Sequence, residues 1–147
     1  MSATRNRREA KQYDKYMAER DTSRCQFCDI NPKDEQFVEA TRSFKVLKNI
    51  FPYSIWDNQR VVDHLLLVPK KHTDTLDHIT DKQAAEYIRI LGRYEQQGYN
   101  VYARAPSSVI KSVVHQHTHF IKTEGKPKHF LFLLRKPVYF RISWPRG

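Results

Sequence analysis

Apolar and polar positions along the chain predict one long amphipathic helix in its middle. From Ala84 to Tyr94 apolar residues recur every three or four positions, which is the spacing of one helix face. Thr80 and Gln83 form a capping box at its start, and Gly98 stands at the position that glycine prefers just beyond a helix end. We therefore expect a helix that begins after Thr80 and ends before Gly98.

Shorter patterns predict a second helix and a set of strands. Tyr13, Tyr16 and Met17 lie at helical spacing within a charged stretch, so we expect an exposed N-terminal helix over about Arg5–Arg20. The expected strands are Gln36–Ala40, Ser43–Ile50, Val61–Val68, Tyr99–Arg104, Ser112–Ile121 and Phe130–Leu134, with Val138–Ile142 as a further candidate, while residues 51–60 form a loop. Short connections around one long central helix predict an antiparallel α+β fold.

Length and composition are those of one folded domain. The chain has 147 residues, of which 39% are hydrophobic, and it contains eight Phe, eight Tyr and two Trp to build a core. We expect residues 1–24 to form a basic helix or arm and residues 25–147 to form a single domain. Apolar runs such as Leu65–Val68 are far shorter than the roughly 18 residues of a membrane span. Since the first residues are polar and charged, we expect a cytoplasmic protein without a membrane anchor.

The charge balance favours anionic partners. Lys and Arg number 26 and Asp and Glu number 16, which gives a net charge of +10. Nucleotides, nucleic acids and lipid headgroups all suit such a field. Because the basic residues are spread along the chain and form no compact nucleic-acid motif, sequence-specific DNA binding is not favoured.

Cys25 and Cys28 form a Cys-x-x-Cys pair. In a chain without a secretory signal this spacing favours half of a metal site or a redox pair over a structural disulfide. A zinc ion takes about four nitrogen or sulfur ligands, so a zinc site would need two more residues from elsewhere in the chain.

Three histidines alternate within one predicted strand. His115, His117 and His119 would share one face, with neighbouring Cα atoms about 6.6 Å apart and the outer pair about 13 Å apart. One tetrahedral metal could bind adjacent members but hardly all three, so the row should divide its tasks. The alternatives are solvated or core histidines, a catalytic metal held by a His-x-His pair, or one histidine on structural zinc and another attacking phosphorus.

A second segment favours the phosphorus chemistry. Residues 64–72 read H-L-L-L-V-P-K-K-H, with His64 at the start of a buried strand and His72 beyond its end. Together with the later H-x-H-x-H row, this segment resembles the histidine triad superfamily of nucleotide hydrolases and transferases. The resemblance runs from about Cys25 to Ile121. It implies an antiparallel sheet with helices and a homodimer.

The resemblance also implies roles for individual residues. His117 matches the nucleophile, which attacks the α-phosphorus of a nucleoside 5′-phosphate derivative and forms a nucleotidyl-histidine. His119 would bind the α-phosphate, Ser112 would contact the phosphate or leaving group, and His64 would line the same pocket. Asn49, just before Phe51, would bind the ribose hydroxyls.

Zinc-containing members of the family imply a ligand set for this chain. The matching residues are Cys25, Cys28, His72 and His115, which would form a closed Cys2His2 site. A closed site has no open coordination position, so the zinc would be structural. His115 would then take no part in catalysis.

Two positions depart from the family pattern. Many relatives have an asparagine after the strand before the triad and a Gly-Gln pair before the serine, where this chain has Arg104 and Ile110-Lys111. Arg104 or Lys111 could replace those contacts with positive charge, which would suit a polyphosphate leaving group.

The resulting hypothesis is an enzyme that acts on a dinucleoside polyphosphate or a nucleoside phosphoramidate. A metal-dependent hydrolase or lyase that uses His115 and His117 as ligands is one alternative. A nucleotide- or nucleic-acid-binding module without catalysis is the other.

Overall fold

A computed structural model describes residues 4–126, 129–133 and 139–143. The helices are α1 (Arg7–Glu19) and α2 (Asp81–Gln96), and the strands are β1 (Phe37–Ala40), β2 (Phe44–Lys48), β3 (Ile55–Trp56), β4 (Gln59–Pro69), β5 (Tyr99–Ala103), β6 (Thr118–Glu124), β7 (His129–Leu133) and β8 (Tyr139–Ser143). Six strands form one antiparallel sheet in the order β1-β2-β4-β6-β5, with β3 paired to β4, while β7 and β8 form a separate pair. The predicted antiparallel α+β fold with one long helix and an N-terminal helix is confirmed.

Helix α2 covers one face of the sheet. Thr80 and Gln83 form the expected capping box, and Gly98 has the positive φ of a residue beyond a helix end. Ile90 and Tyr94 on the helix pack against Phe120 and its neighbours on the sheet, and the rings of Tyr94 and Phe120 stack with centroids 4.4 Å apart. This packing forms the larger hydrophobic core.

The opposite face of the central strands is also buried. Leu47, Leu66 and Val68 pack there against Phe27, which lies between the two cysteines. Because β4 is covered on both faces, its second half is a continuous run of buried residues rather than an alternating one. The segment that covers this face contains Cys25 and Cys28, two of the four candidate metal ligands.

Helix α1 lies at the surface. Asn6 caps it with a capping box to Glu9, and the helix begins and ends slightly inside the predicted bounds. It contains no buried residue. Its position depends on partly buried contacts of Tyr13 and Tyr16 with Phe51 and on hydrogen bonds at its two ends.

The predicted strand over Ser112–Ile121 is wrong in its first part, because β6 begins only at Thr118. Thr118 pairs with Leu67 on one side and with Ala103, the last residue of β5, on the other. The pairing with β4 and β5 stops at Thr118, and before it the N–H of Gln116 instead donates to the carbonyl oxygen of Thr73. His115 and His117 thus lie in a connecting segment rather than on a strand.

The predicted loop at residues 51–60 contains a short hairpin. Ile55 and Trp56 pair with Arg60 and Gln59. Asp57 and Asn58 between them both have positive φ, as a type I′ turn requires.

The strands predicted near the C-terminus occur as β7 and β8, each displaced by one residue. Leu134 and Val138, at the ends of the predicted segments, lie outside the described residues. Within the described part of the chain, neither helix has the length and apolar character needed to cross a membrane.

Candidate functional site

A cavity of about 1140 Å³ lies beside the histidines. Its walls come from the sheet, from helix α1 and from the segment before His115. The predicted site residues that line it are Asn49, Phe51, Arg104, Lys111, Ser112, His117 and His119. His64 lines a smaller adjoining cavity and contacts His119 from there.

Strand register brings His64 and His119 together. His64 on β4 lies opposite Ile121 on β6, and His119 is two residues before Ile121 on the same face of that strand. Diagonal neighbours across an antiparallel pair are within reach of long or aromatic side chains. The Nε2 atom of His64 lies 2.9 Å from Nδ1 of His119.

The backbone determines where the protons of these two rings lie. The N–H of Tyr53 donates to Nδ1 of His64 over 3.0 Å, so that nitrogen is an acceptor. Neutral His64 then carries its proton on Nε2 and donates it to Nδ1 of His119. As a result, His119 carries its proton on Nε2, a buried atom without a hydrogen-bond partner among the described residues. A buried donor on a cavity wall fits an anionic ligand.

Burial keeps both rings neutral. It lowers the pKa of His64 to about 3, with further contributions from the positive charge of Arg5 and from the neighbouring His117. Burial likewise lowers the pKa of His119 far below the usual value, and the neighbouring histidines add to the effect. The proton arrangement above therefore applies at neutral pH.

His117 has the opposite proton arrangement. Its Nδ1 lies 2.8 Å from the backbone carbonyl oxygen of His115, which can only accept, so Nδ1 carries the proton. Burial lowers the pKa of His117, which keeps the ring neutral. Nε2 is left with a free lone pair at the cavity. A neutral imidazole with one nitrogen free is the form that can act as a nucleophile.

The remaining predicted residues line the cavity with part of their bonding capacity already used. Arg104 donates to the hydroxyl oxygens of Tyr53 and Tyr102, at 3.0 and 3.1 Å. Lys111 donates to Oε1 of Gln116 at 2.7 Å. A guanidinium has five N–H donors and an ammonium three, so both cations keep donors for a ligand.

Asn49 and Phe51 form the edge of the cavity after β2. The side-chain oxygen of Asn49 accepts from the N–H of Phe51 at 3.0 Å, and its amide nitrogen lies 3.3 Å from Nε2 of His64. The Phe51 ring packs against Tyr16 of α1 with centroids 4.7 Å apart. Ser112 lies across the cavity, and its carbonyl oxygen accepts from the Arg20 guanidinium at 2.8 Å.

The four predicted metal ligands come together in a second cluster. One ligand atom from each of Cys25, Cys28, His72 and His115 lies within 4.8 Å of all the others. Sγ of Cys25 is 3.3 Å from Nδ1 of His115, and Sγ of Cys28 is 3.3 Å from Nδ1 of His72. Two sulfur and two nitrogen atoms are a donor set that suits tetrahedral zinc.

The surroundings of this cluster also fit a cation. Nε2 of His115 donates to the carbonyl oxygen of Pro69 at 3.0 Å, which leaves Nδ1 deprotonated toward the thiols. The ammonium of buried Lys45 donates to the carbonyl oxygen of Ile30 at 2.8 Å and lies near the cysteine backbone at Cys28. Burial and the neighbouring Cys25 raise the pKa of the Cys28 thiol to about 11, while the positive charge of Lys45 acts in the opposite direction, toward the thiolate that binds metal.

Several residues of the site are missing from the sequence prediction. Tyr53 belongs to neither histidine motif, yet its N–H sets the proton position on His64. Arg5 belongs to an ordinary basic stretch of the sequence, and Lys45 lies between apolar residues of a predicted strand. No local pattern separates Arg5 from its basic neighbours, because its partner Phe51 lies 46 residues away.

Comparison with solved structures finds the same fold in histidine triad proteins. A HIT family hydrolase from Clostridium thermocellum is 20% identical with a TM-score of 0.53, over 74% of this chain and 98% of that one. A hypothetical histidine triad nucleotide-binding protein from Sulfolobus tokodaii strain7 is 24% identical with a TM-score of 0.54, over 69% and 71%. A Zn-bound histidine triad family protein from Mycobacterium smegmatis is 19% identical with a TM-score of 0.54, over 74% and 81%.

No protein-family model matches the chain, and no curated protein matches it. The evidence of likeness is therefore structural. This chain has the same fold as these histidine triad proteins, in agreement with the resemblance carried by its two histidine motifs.

The low pKa of His64 predicts a loss of stability in mild acid. Below the ordinary histidine pKa of 6.5 the unfolded chain binds a proton at His64, whereas in the folded protein the pKa of His64 is about 3. The free energy of unfolding should therefore decrease as the pH is lowered through this range. His64 contributes at most about 1.4 kcal/mol of this decrease per pH unit. Between about pH 7.5 and about pH 5.5, the His64→Gln variant should lose roughly 1 kcal/mol less than the wild type.

Urea unfolding at the two pH values, with the same zinc concentration in both proteins, measures this difference. An equal loss of stability in the wild type and in His64→Gln would contradict the assignment of a buried, neutral His64.

Proposed function

We propose that this chain is a nucleotide hydrolase or nucleotidyl transferase that acts through a covalent intermediate on His117. The substrate is a nucleoside 5′-phosphate derivative, either a dinucleoside polyphosphate or a nucleoside phosphoramidate. The observation that carries the proposal is the pairing of two nitrogens at the cavity. Nε2 of His117 has a lone pair, and Nε2 of His119 has an unpartnered N–H. The likeness in fold to a HIT family hydrolase and to a histidine triad nucleotide-binding protein supports it.

In the first step Nε2 of His117 attacks the α-phosphorus. A P–N bond to the histidine forms, and the bond from phosphorus to the leaving group breaks with its electron pair going to the leaving group. The imidazole becomes a cation, which its Nδ1–H bond to the His115 carbonyl oxygen stabilises. The N–H of His119 donates to a phosphoryl oxygen as negative charge develops there.

In the second step water or another acceptor opens the intermediate. Its oxygen attacks phosphorus, the P–N bond breaks, and the electron pair returns to Nε2 of His117. With water, the products are the nucleoside monophosphate and the leaving group, and the proton from the water passes to solvent or to the departed group. Access to the cavity determines which acceptor reacts, and so distinguishes hydrolase from transferase.

The other cavity residues have binding roles in this proposal. Ser112 contacts the phosphate or leaving group, and Asn49 beside Phe51 binds the ribose hydroxyls. Arg104 and Lys111 supply positive charge to the phosphates through their remaining donors. His64 acts through His119, whose proton position it determines.

The Cys25, Cys28, His72 and His115 cluster would hold a structural zinc ion. A zinc ion there would cross-link the segments that contain its ligands. The closed donor set leaves no open coordination position for substrate. His117 lies outside this cluster, which is the observation against a catalytic metal on the His-x-His pair. The Zn-bound histidine triad protein of similar fold supports zinc as the metal.

The chain would act as a homodimer. Strand β5 is one of the two end strands of the described sheet, β1 being the other, and Val101 on β5 is 43% exposed. Ile88 on α2 is 63% exposed, although α2 otherwise buries its apolar residues against the sheet. An unpaired strand edge and exposed apolar side chains are features that association covers.

Replacement of the proposed nucleophile should abolish covalent catalysis. We expect the wild type, mixed with adenosine 5′-phosphoramidate or a diadenosine polyphosphate, to gain the mass of one nucleotidyl group. His117→Ala should show no adduct and at least about 10³-fold slower turnover, since the nucleophile is gone.

Intact mass spectrometry after rapid quenching without acid, together with steady-state turnover, provides the measurement. His78→Gln, which removes a surface histidine, is the matched control and should form the adduct. Equal turnover in His117→Ala and wild type would refute the assignment. Tight nucleotide binding with no turnover in either protein would favour a binding module instead.

Zinc removal should destabilise the fold. We expect elemental analysis to find about one zinc per chain and Cys28→Ser to lower that content. Zinc at about 100 times its Kd should stabilise the folded state by about 2.7 kcal/mol, and a chelator should reverse this. Urea unfolding with and without chelator measures the change. A wild-type protein that folds fully without metal, with both thiols free, would overturn the zinc assignment.

The dimer proposal predicts a change in mass on substitution of the exposed apolar residues. Sedimentation should find a dimer for the wild type and a monomer for the Ile88→Asp/Val101→Asp variant, because buried unpaired charges oppose association. Val109 is 99% exposed and lies on neither α2 nor β5. Val109→Asp is therefore the control and should stay dimeric. A monomeric wild type at micromolar concentration would refute the proposal.

A further inference from the structure

Helix α1 forms one wall of the candidate active site. Arg7, Ala10, Lys11, Asp14 and Met17 all line the cavity, and their spacing of three and four residues places them on one side of the helix. None of the residues of α1 is buried. The helix therefore spans the cavity and does not pack onto the hydrophobic core.

Contacts at both ends hold this wall in place. At the N-terminal end, Arg5 donates to the carbonyl oxygen of Phe51 at 2.7 Å, and its guanidinium carbon lies 4.2 Å from the centre of the Tyr13 ring. At the other end, Arg20 donates to the carbonyl oxygen of Ser112 at 2.8 Å. The helix is thus attached to residues on both sides of the cavity.

The charge on the cavity wall exceeds what one phosphate requires. Six of the lining side chains are cationic and one, Asp14, is anionic. The N-terminal segment supplies half of the cations, at Arg5, Arg7 and Lys11. Nε of Arg5 is in addition a buried donor without a partner among the described residues.

The size of the cavity agrees with a substrate larger than one nucleotide. Its volume of about 1140 Å³ is above the range of about 300–1,000 Å³ that suits a drug-sized ligand. A nucleoside monophosphate held at His117 would leave space toward α1. The walls of that space are predominantly positive.

We propose that helix α1 selects substrates whose leaving group is an anion, with Arg7 and Lys11 contacting that group and Arg5 positioning the helix. This inference rests on the proposed nucleotidyl transfer to His117, and it adds the class of group that is displaced. The anion is a phosphate chain or a carboxylate, which present the same chemistry to a guanidinium or ammonium. A neutral amine as leaving group would make none of these contacts.

The test compares three substrates in two matched double variants. The substrates are diadenosine tetraphosphate, the adenosine 5′-phosphoramidate of aspartate, and simple adenosine 5′-phosphoramidate. Arg7→Gln/Lys11→Gln removes two cations from the cavity wall. Arg8→Gln/Lys15→Gln removes the same charge from the same helix at residues that do not line the cavity.

We expect Arg7→Gln/Lys11→Gln to lower kcat/KM for an anionic leaving group about tenfold more than for the neutral one. The effect should shrink at high salt, because exposed charges are screened. Arg8→Gln/Lys15→Gln should keep the wild-type ratio. A tenfold change with diadenosine tetraphosphate alone identifies a phosphate chain, and the same change with the aspartate derivative identifies carboxylate recognition as well.

The inference is overturned if both double variants change all three substrates by the same factor. Failure of the proposed function looks different, since the wild type would then form no His117-dependent adduct with any substrate. If no adduct forms, equilibrium binding of nucleotides to the His117→Ala variant still tests the role of α1 independently of catalysis. Adenosine 5′-tetraphosphate should bind to His117→Ala more tightly than AMP does. Adding Arg7→Gln/Lys11→Gln to that variant should remove this difference in affinity, and an unchanged difference would refute the role of α1.

Discussion

The hydrogen bond from Nδ1 of His117 to the backbone carbonyl oxygen of His115 joins the two halves of the site. The side chain of His115 lies with the thiols of Cys25 and Cys28, while its carbonyl oxygen determines which nitrogen of His117 carries the proton. His115 of the cysteine and histidine cluster and His117 of the cavity are thus two residues apart and are linked by this hydrogen bond. Any shift of His115 would move the acceptor on which the orientation of His117 depends, so the cluster and the cavity are mechanically coupled.

Hydrogen bonds also orient the other two rings of the site, those of His64 and His119. A backbone N–H at Tyr53 orients His64, and His64 orients His119, so that a chain of hydrogen bonds ends in a buried donor at the cavity. Burial keeps these rings neutral, because the charged form loses its hydration. The N–H that would meet a phosphate is therefore arranged before any ligand arrives, which is what electrostatic preorganisation requires.

Local patterns predicted most of the elements, and the exceptions have identifiable causes. Helix α2 followed from its apolar spacing and its capping box, since both depend on residues close in sequence. The strand expected over Ser112–Ile121 failed in its first half because a strand requires paired neighbours, and the pairing with β4 and β5 extends only to Leu67 and Ala103, both opposite Thr118. The candidate ligands and triad residues were identifiable as residue types, whereas the contacts of Arg5 and Tyr53 join segments far apart in the chain.

The sequence by itself determined the chemistry that is available: two cysteines at metal spacing, histidines in alternation, an excess of positive charge and an antiparallel α+β pattern. The tertiary structure alone decided how these groups are used. It brought His115 to the cysteines and His117 and His119 to the cavity, assigned a proton to one nitrogen of each ring, and placed a basic helix across the opening. The physical reason is that residue type and periodicity act locally, whereas burial and hydrogen-bond partners depend on segments that meet only when the chain folds.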